Sequence, residues 1–218
     1  MNIKAAIFDM DGTLIDSLIF WNLLWKALGE TYLGDPGFLP SPEVDKEVRT
    51  LTLDDAMALI HRTYGIGSSA EALAEEAKCR IRRFYAEQVQ VKPGAKEFLA
   101  HLKEQGVPMC IASGTDRELV LLAADRCGIA EYFSGFFSCA TIGKGKDQPD
   151  IYLQALEFLG TAAEETWVFE DSLVALETAA LLGMPLVAVY DPNNFGHEKM
   201  QQLTVHYIGP DQTLASLT

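Results

Sequence analysis

Short apolar runs, each closed by polar or turn-forming residues, punctuate the chain. KAAIF (4–8) stops abruptly at DMDG, the pattern of a buried strand feeding a turn. Runs of the same kind recur at 108–112, 136–139, 166–170, 186–190 and 205–208. Between most of them lies helical spacing, over 94–105, 116–128, 150–159 and 172–182. In 116–128, Leu119, Val120, Ala123, Ala124 and Cys127 recur at three- and four-residue steps, which gathers them on one helix face. Asp150 follows Pro149 and precedes an apolar periodic stretch, so it is expected to cap that helix. Strands alternating with helices predict right-handed crossovers and an α/β fold with a parallel sheet covered on both faces.

Residues 17–90 break the alternation. They hold no strand pattern, only helical stretches at 17–33, 53–64 and 69–88, with a Pro/Gly-rich interruption, GDPGFLPSP (34–42), after the first. The expectation is a core made of 1–16 and 91–218, with an all-helical domain, 17–90, inserted after the first strand. The segments Leu14–Ser17 and Val89–Pro93 would be its hinges.

Composition narrows the function classes. The 218 residues are 49% hydrophobic, enough for a sizeable core, and 22% charged, too few for a disordered chain. A formal charge of −14 disfavours nucleic acid and anionic membrane surfaces as partners, yet leaves room for a small anion met by a local cation. No apolar run approaches the ~20 residues that cross a bilayer, and the first strand turns acidic too early for a secretory leader. Cys79, Cys110, Cys127 and Cys139 are scattered without a CxxC pair, which suits a reducing cytoplasm.

Four chemical signals then follow in order. Asp9-Met10-Asp11-Gly12-Thr13 comes after the first strand, Ser113-Gly114-Thr115 after the second, Lys146 in a polar loop after the third, and Glu170-Asp171 at the end of the fourth. Taken singly, each has an ordinary reading: a solvated turn, a Ser-Gly turn, a surface lysine, a helix cap. Taken together, all fall at the carboxyl edge of one parallel sheet, where such sheets bind ligands. Phosphoryl transfer is the chemistry these residues share. Asp9 is the candidate nucleophile and Asp11 the candidate acid and base. Gly12, Ser113 and Gly114 are candidates to cradle phosphate oxygens, and Lys146 to neutralise them. Asp9, Asp11, Glu170 and Asp171 are the candidate metal ligands. Two like charges 4 Å apart repel by about 4 kcal/mol at an effective dielectric of about 20. Several carboxylates beside a phosphate dianion multiply that cost beyond what one lysine offsets, so Mg²⁺ is expected.

The string FDMDGTLIDS (8–17) resembles the first motif of the haloacid dehalogenase-like superfamily, and IASGT, GKDQPDIY and VFEDS resemble its later motifs. An insert directly after the first motif is similar to that of the β-phosphoglucomutase-like branch. The resemblance implies a Rossmann-like core, a mobile helical cap and Mg²⁺-dependent hydrolysis of a phosphate monoester. The expected partner is a small phosphorylated metabolite; the pattern is compatible with a monomer and leaves the oligomeric state open. It makes Asp9 the nucleophile, Asp11 the acid/base and Asp171 a metal ligand, with the Asp11 backbone carbonyl as a further ligand. Asp147 stands where the family has proline after its motif lysine, which leaves Lys144 as a rival to Lys146. A phosphomutase on the same fold is the first alternative, and a phosphoryl-accepting signalling module the alternative of another class. Mutases of the resembling branch carry a histidine twelve residues after the nucleophile; here that position is Trp21. Trp21 and Trp25 share a face of the first inserted helix, where paired aromatics usually form core. Trp21 and Arg49 are the candidates for substrate contact from the insert.

Overall fold

The computed structural model describes residues 1–49 and 51–218. Among them, six strands form one sheet: β1 (Ala5–Phe8), β2 (Met109–Ser113), β3 (Gly135–Ser138), β4 (Thr166–Glu170), β5 (Leu186–Val189) and β6 (His206–Ile208). Their order is β3-β2-β1-β4-β5-β6, and every pairing is parallel. The apolar runs are continuous rather than alternating because helices cover both faces; every residue of β1, β2 and β5 is buried. The covering helices are α5 (Ala95–Glu104), α6 (Arg117–Cys127), α7 (Cys139–Ile142), α8 (Asp150–Leu159), α9 (Leu173–Leu181) and α10 (His197–Leu203) once the inserted α1–α4, given below, are counted first. Phe8 and Phe169 stack at 4.4 Å between the central strands β1 and β4, with Phe98 of α5 against them. The sheet reverses its winding between β1 and β4, the position at which parallel sheets open a ligand crevice.

The chain divides into two compact units, Met1–Leu18 with Val89–Thr218, and Ile19–Gln88. Within the first, the outgoing and returning segments run antiparallel. Lys92 N–H donates to Leu14 O at 2.8 Å, Asp16 N–H donates to Gln90 O at 2.9 Å, and Ile15 bridges Val91. The second unit is helical: α1 (Phe20–Leu33), α2 (Pro42–Val48), α3 (Leu53–Tyr64) and α4 (Ala70–Glu87). Trp25 is fully buried there, and its indole N–H donates to Asp45 Oδ1 at 2.8 Å. Among the described residues no helix is long and apolar enough to cross a membrane.

Two local expectations need correction. The interruption after α1 ends before Pro42, which opens α2 behind a capping Ser41 whose Oγ accepts from Val44 N–H. Asp150 does not cap α8; Pro149 holds the cap position, and Asp150 is the first helical residue. Its carboxylate instead takes a 2.7 Å ion pair from Lys144, at the positive end of the helix.

Candidate active site

The ends of β1 and β4 bring three carboxylates together. Asp9 continues the ladder beyond β1, its N–H donating to Phe169 O at 2.9 Å, so its side chain is fixed at the rim of the sheet. Glu170 ends β4 and Asp171 follows it. All three are buried, and each offers an oxygen lying within 4.8 Å of the others. Lys146, on the loop between α7 and α8, reaches between them and donates to Asp9 Oδ1 and, at 2.7 Å, to Glu170 Oε2. Asp9 Oδ2 is buried and has no hydrogen-bond partner among the described residues.

Gly12 makes the close approach of Asp171 feasible. Its φ of +81° suits glycine, and a Cβ there would stand 2.1 Å from Asp171 Oδ2. Asp171 is also seated by Asn194, whose Nδ2 donates to its backbone oxygen at 2.8 Å and to Oδ2 at 2.9 Å. Asp11 is held separately. Ser17 Oγ donates to its Oδ1 at 2.7 Å, and Ser113 Oγ donates to its Oδ2 at 3.3 Å. Ser113 Oγ in turn accepts Thr115 N–H at 3.0 Å, which turns the chain after β2. Gly114 at that turn is exposed, with open space where a side chain would stand.

Crowding without solvent governs the electrostatics. Burial raises the Asp9 carboxyl above its ordinary range; Lys146 opposes the shift and Asp11 adds to it. Burial and the Asp9 charge push Glu170 well up, and push Asp171 to about 7 against the Asn194 hydrogen bond. Lys146 is pulled down by burial, but Asp9 and Glu170 outweigh this and hold it well above the ordinary lysine value. Three buried carboxylates, one lysine and an orphaned Asp9 oxygen form a site short of positive charge. An all-oxygen donor set of this kind fits a hard divalent cation.

Of the sequence-predicted residues, Asp9, Glu170 and Asp171 lie together, Lys146 contacts Asp9 and Glu170, and Gly12 adjoins Asp171. The Asp11 carboxylate lies outside the group of three and joins Ser113 and Ser17. Lys144 pairs with Asp150 rather than Asp9. Trp21 and Arg49 belong to the helical unit. The Trp21 and Trp25 rings lie 5.4 Å apart, tilted by 32°, and Arg49 is neither free nor fully solvated: its Nε donates to Asp45 Oδ2 at 2.9 Å, which neutralises the charge offered to an anion. Sequence reasoning missed Ser17, Lys92, Asp191 and Asn194. Ser17 alone was within reach, as the last residue of FDMDGTLIDS; the other three carry no local signal.

Known proteins resemble this chain over most of its length. Residues 3–183 match the haloacid dehalogenase-like hydrolase family. The chain is 25% identical to the phosphorylated carbohydrates phosphatase of Thermotoga maritima over 212 residues, 97% of this chain and 96% of that protein. It is 30% identical to protein CbbY of Rhodobacter capsulatus, covering 86% of this chain and 85% of the relative. The crystal structure of CbbY from Rhodobacter sphaeroides in complex with phosphate superposes with a TM-score of 0.77 at 23% identity, covering 99% and 96% of the two chains.

Proposed function

Because the chain belongs to the haloacid dehalogenase-like hydrolase family, we propose that this phosphatase hydrolyses the monoester of a small phosphorylated metabolite, a sugar phosphate foremost, through an aspartyl-phosphate on Asp9. The observation that carries this reading is the unpartnered Asp9 Oδ2, buried beside Lys146 and Asp171 at the edge where the sheet reverses. The phosphorylated carbohydrates phosphatase among its relatives supports the substrate class.

Asp9 Oδ2 attacks phosphorus while the ester P–O bond breaks, and the leaving oxygen takes a proton from the Asp11 carboxyl. Water then attacks the phosphoryl group, Asp11 takes back the proton, and the Asp9–phosphorus bond breaks. The bonds from Ser17 and Ser113 favour this role because they fix the Asp11 carboxylate apart from the other three acids. Lys146 and the turn Ser113-Gly114 hold the phosphoryl oxygens. Asp9 and Asp171, with Glu170 close by and the Asp11 backbone carbonyl, would hold Mg²⁺. Bound there, that ion supplies compensation for the negative charge that the carboxylates and phosphate bring together. The helical insert, 17–90 by sequence pattern and Ile19–Gln88 as a compact unit, corresponds to the cap domain of the resembling branch. Free thiols at all four cysteines suit the cytoplasmic setting.

Hydrolysis is favoured over mutase chemistry because the Trp21 indole has no atom able to accept a proton from a substrate hydroxyl. Asp9→Asn is expected to abolish release of p-nitrophenol from its phosphate while circular dichroism stays unchanged. Activity within about tenfold of wild type in a folded variant overturns the assignment. With β-glucose 1-phosphate and a bisphosphate primer, free phosphate is expected to outrun glucose 6-phosphate; the reverse establishes a mutase. A panel of phosphorylated metabolites with Mg²⁺ then ranks the substrates.

A further inference from the structure

Lys92 lies where the chain returns from the helical unit, 80 residues from the Gly12 carbonyl that it touches. A lysine ammonium has three donors, and here two are hydrogen-bonded while the charge is paired. It donates to Gly12 O and to Tyr190 O at 3.1 Å, and it lies 2.9 Å from Asp191 Oδ2 in an ion pair, on a side chain only 1% exposed. The ammonium is therefore held at one point, and it holds that point in turn on both of its backbone partners. From Gly12, the contact passes directly to the Asp171 carboxylate, which sits where a Cβ would otherwise stand. From Asp191, it passes through a tight loop. Asp191 Oδ1 accepts from Asn193 N–H at 2.9 Å and Nδ2 at 3.0 Å, and the next residue, Asn194, donates to the Asp171 backbone oxygen and to Oδ2. The contacts close a ring, Lys92 to Gly12 to Asp171 to Asn194 to Asp191 and back.

We propose that Lys92 is a positioning residue: through the Gly12 carbonyl and the Asp191–Asn194 loop it fixes the two groups, Gly12 and Asn194, against which the Asp171 carboxylate is seated. It touches none of the reacting atoms. Its effect on turnover rests on the phosphatase reading above; its effect on the backbone of Gly12 does not. Lys92 lines a hollow of about 530 Å³ together with Asp16, Tyr190, Pro210 and Gln212 among others, which offers a small cation room beside it.

The test compares wild type with Lys92→Met, and with Lys92→Met/Asp191→Asn, which leaves no buried charge stranded if the single variant fails to fold. In metal-free protein, amide exchange at Gly12, whose N–H is bonded to Ile15 O, is expected to quicken about tenfold. Calorimetric titration with Mg²⁺ alone is expected to show about tenfold weaker binding. With an aryl phosphate, kcat is expected to fall about tenfold while KM stays within about twofold, because Lys92 does not meet the substrate. Propylammonium is expected to restore part of kcat to Lys92→Ala and none to Asp9→Asn. Unchanged exchange at Gly12 in the double variant overturns the proposal, whatever the activities show. If wild type hydrolyses no phosphate ester, the phosphatase reading fails, and the exchange measurement still decides the role of Lys92.

Discussion

At Gly12 the absence of one carbon sets the geometry of the site. An added Cβ would stand 2.1 Å from Asp171 Oδ2 and 2.9 Å from a Leu18 methyl, in a backbone conformation that side chains resist. Gly12→Ala is therefore expected to push Asp171 aside and to lower kcat by about a hundredfold, the usual cost of a misplacement near 1 Å. An aryl phosphate assay at saturating Mg²⁺ checks this, and a loss below threefold would mean that Asp171 adapts. The two loop lysines give a paired comparison. Lys146 sits between two buried carboxylates, whereas Lys144 is half exposed and meets one at the surface. Lys146→Ala is expected to cost about a thousandfold in kcat and Lys144→Ala less than about threefold. The opposite order would place the wrong lysine in the site. Asp9, Gly12, Ser113 and Glu170-Asp171 were legible because each ends or follows a strand that its own apolar run announces. Lys92 and Asn194 were not, because their partners lie 80 and 23 residues away and one of these is a backbone oxygen, which no residue type reveals.

Among the elements, α1 carries an instructive exception to helix propensity. Replacing a mid-helix glycine with alanine normally stabilises by about 1 kcal/mol. At Gly29, however, the new Cβ would lie 2.2 Å from Phe38 Cβ and 2.5 Å from the Asp35 backbone oxygen, in the turn that follows the helix. Gly29→Ala is thus expected to destabilise the helical unit by about 1–3 kcal/mol, the range for overpacking, and thermal unfolding followed by circular dichroism measures it. An unfolding temperature at or above wild type would show that the 35–38 turn gives way freely. The same balance of local and tertiary forces explains which elements the chain discloses. Helix α3 shows its bounds because Thr52 caps it and Ala56, Met57, Leu59 and Ile60 give a clear buried face. Helices α2 and α10 bury one residue each, Val48 and Met200, so PEVDKEV and HEKMQQL show no apolar period to read. Helix α1 starts at Phe20 rather than 17, with Ile19 at the cap position and no side chain to mark it.

Across the whole molecule, the formal charge of −14 is locally concentrated where Asp9, Glu170 and Asp171 share one buried space. Each of these has a folded-state pKa above its ordinary value, because burial and mutual repulsion penalise the charged form; for Asp171 the folded value is about 7 against 3.8. Between those two values the folded metal-free protein binds more protons than the unfolded chain, so its stability falls as pH rises through that window. Above the folded value the Asp171 carboxylate is charged and its share of the penalty is complete. A divalent cation reverses the sense, since it binds the deprotonated carboxylates and only in the folded state. Metal-free protein is therefore expected to unfold at a lower temperature at about pH 8 than at about pH 5, and excess Mg²⁺ to raise that temperature more at the higher pH. General repulsion across an acidic surface would also weaken the fold as pH rises, so Asp171→Asn separates the two causes. It keeps the surface charge and removes one buried carboxylate, and it is expected to flatten the pH dependence and to shrink the Mg²⁺ response. Differential scanning calorimetry on both proteins, with and without Mg²⁺, supplies the four curves. A pH slope identical in wild type and Asp171→Asn would assign the effect to the surface and remove the buried acids as its source.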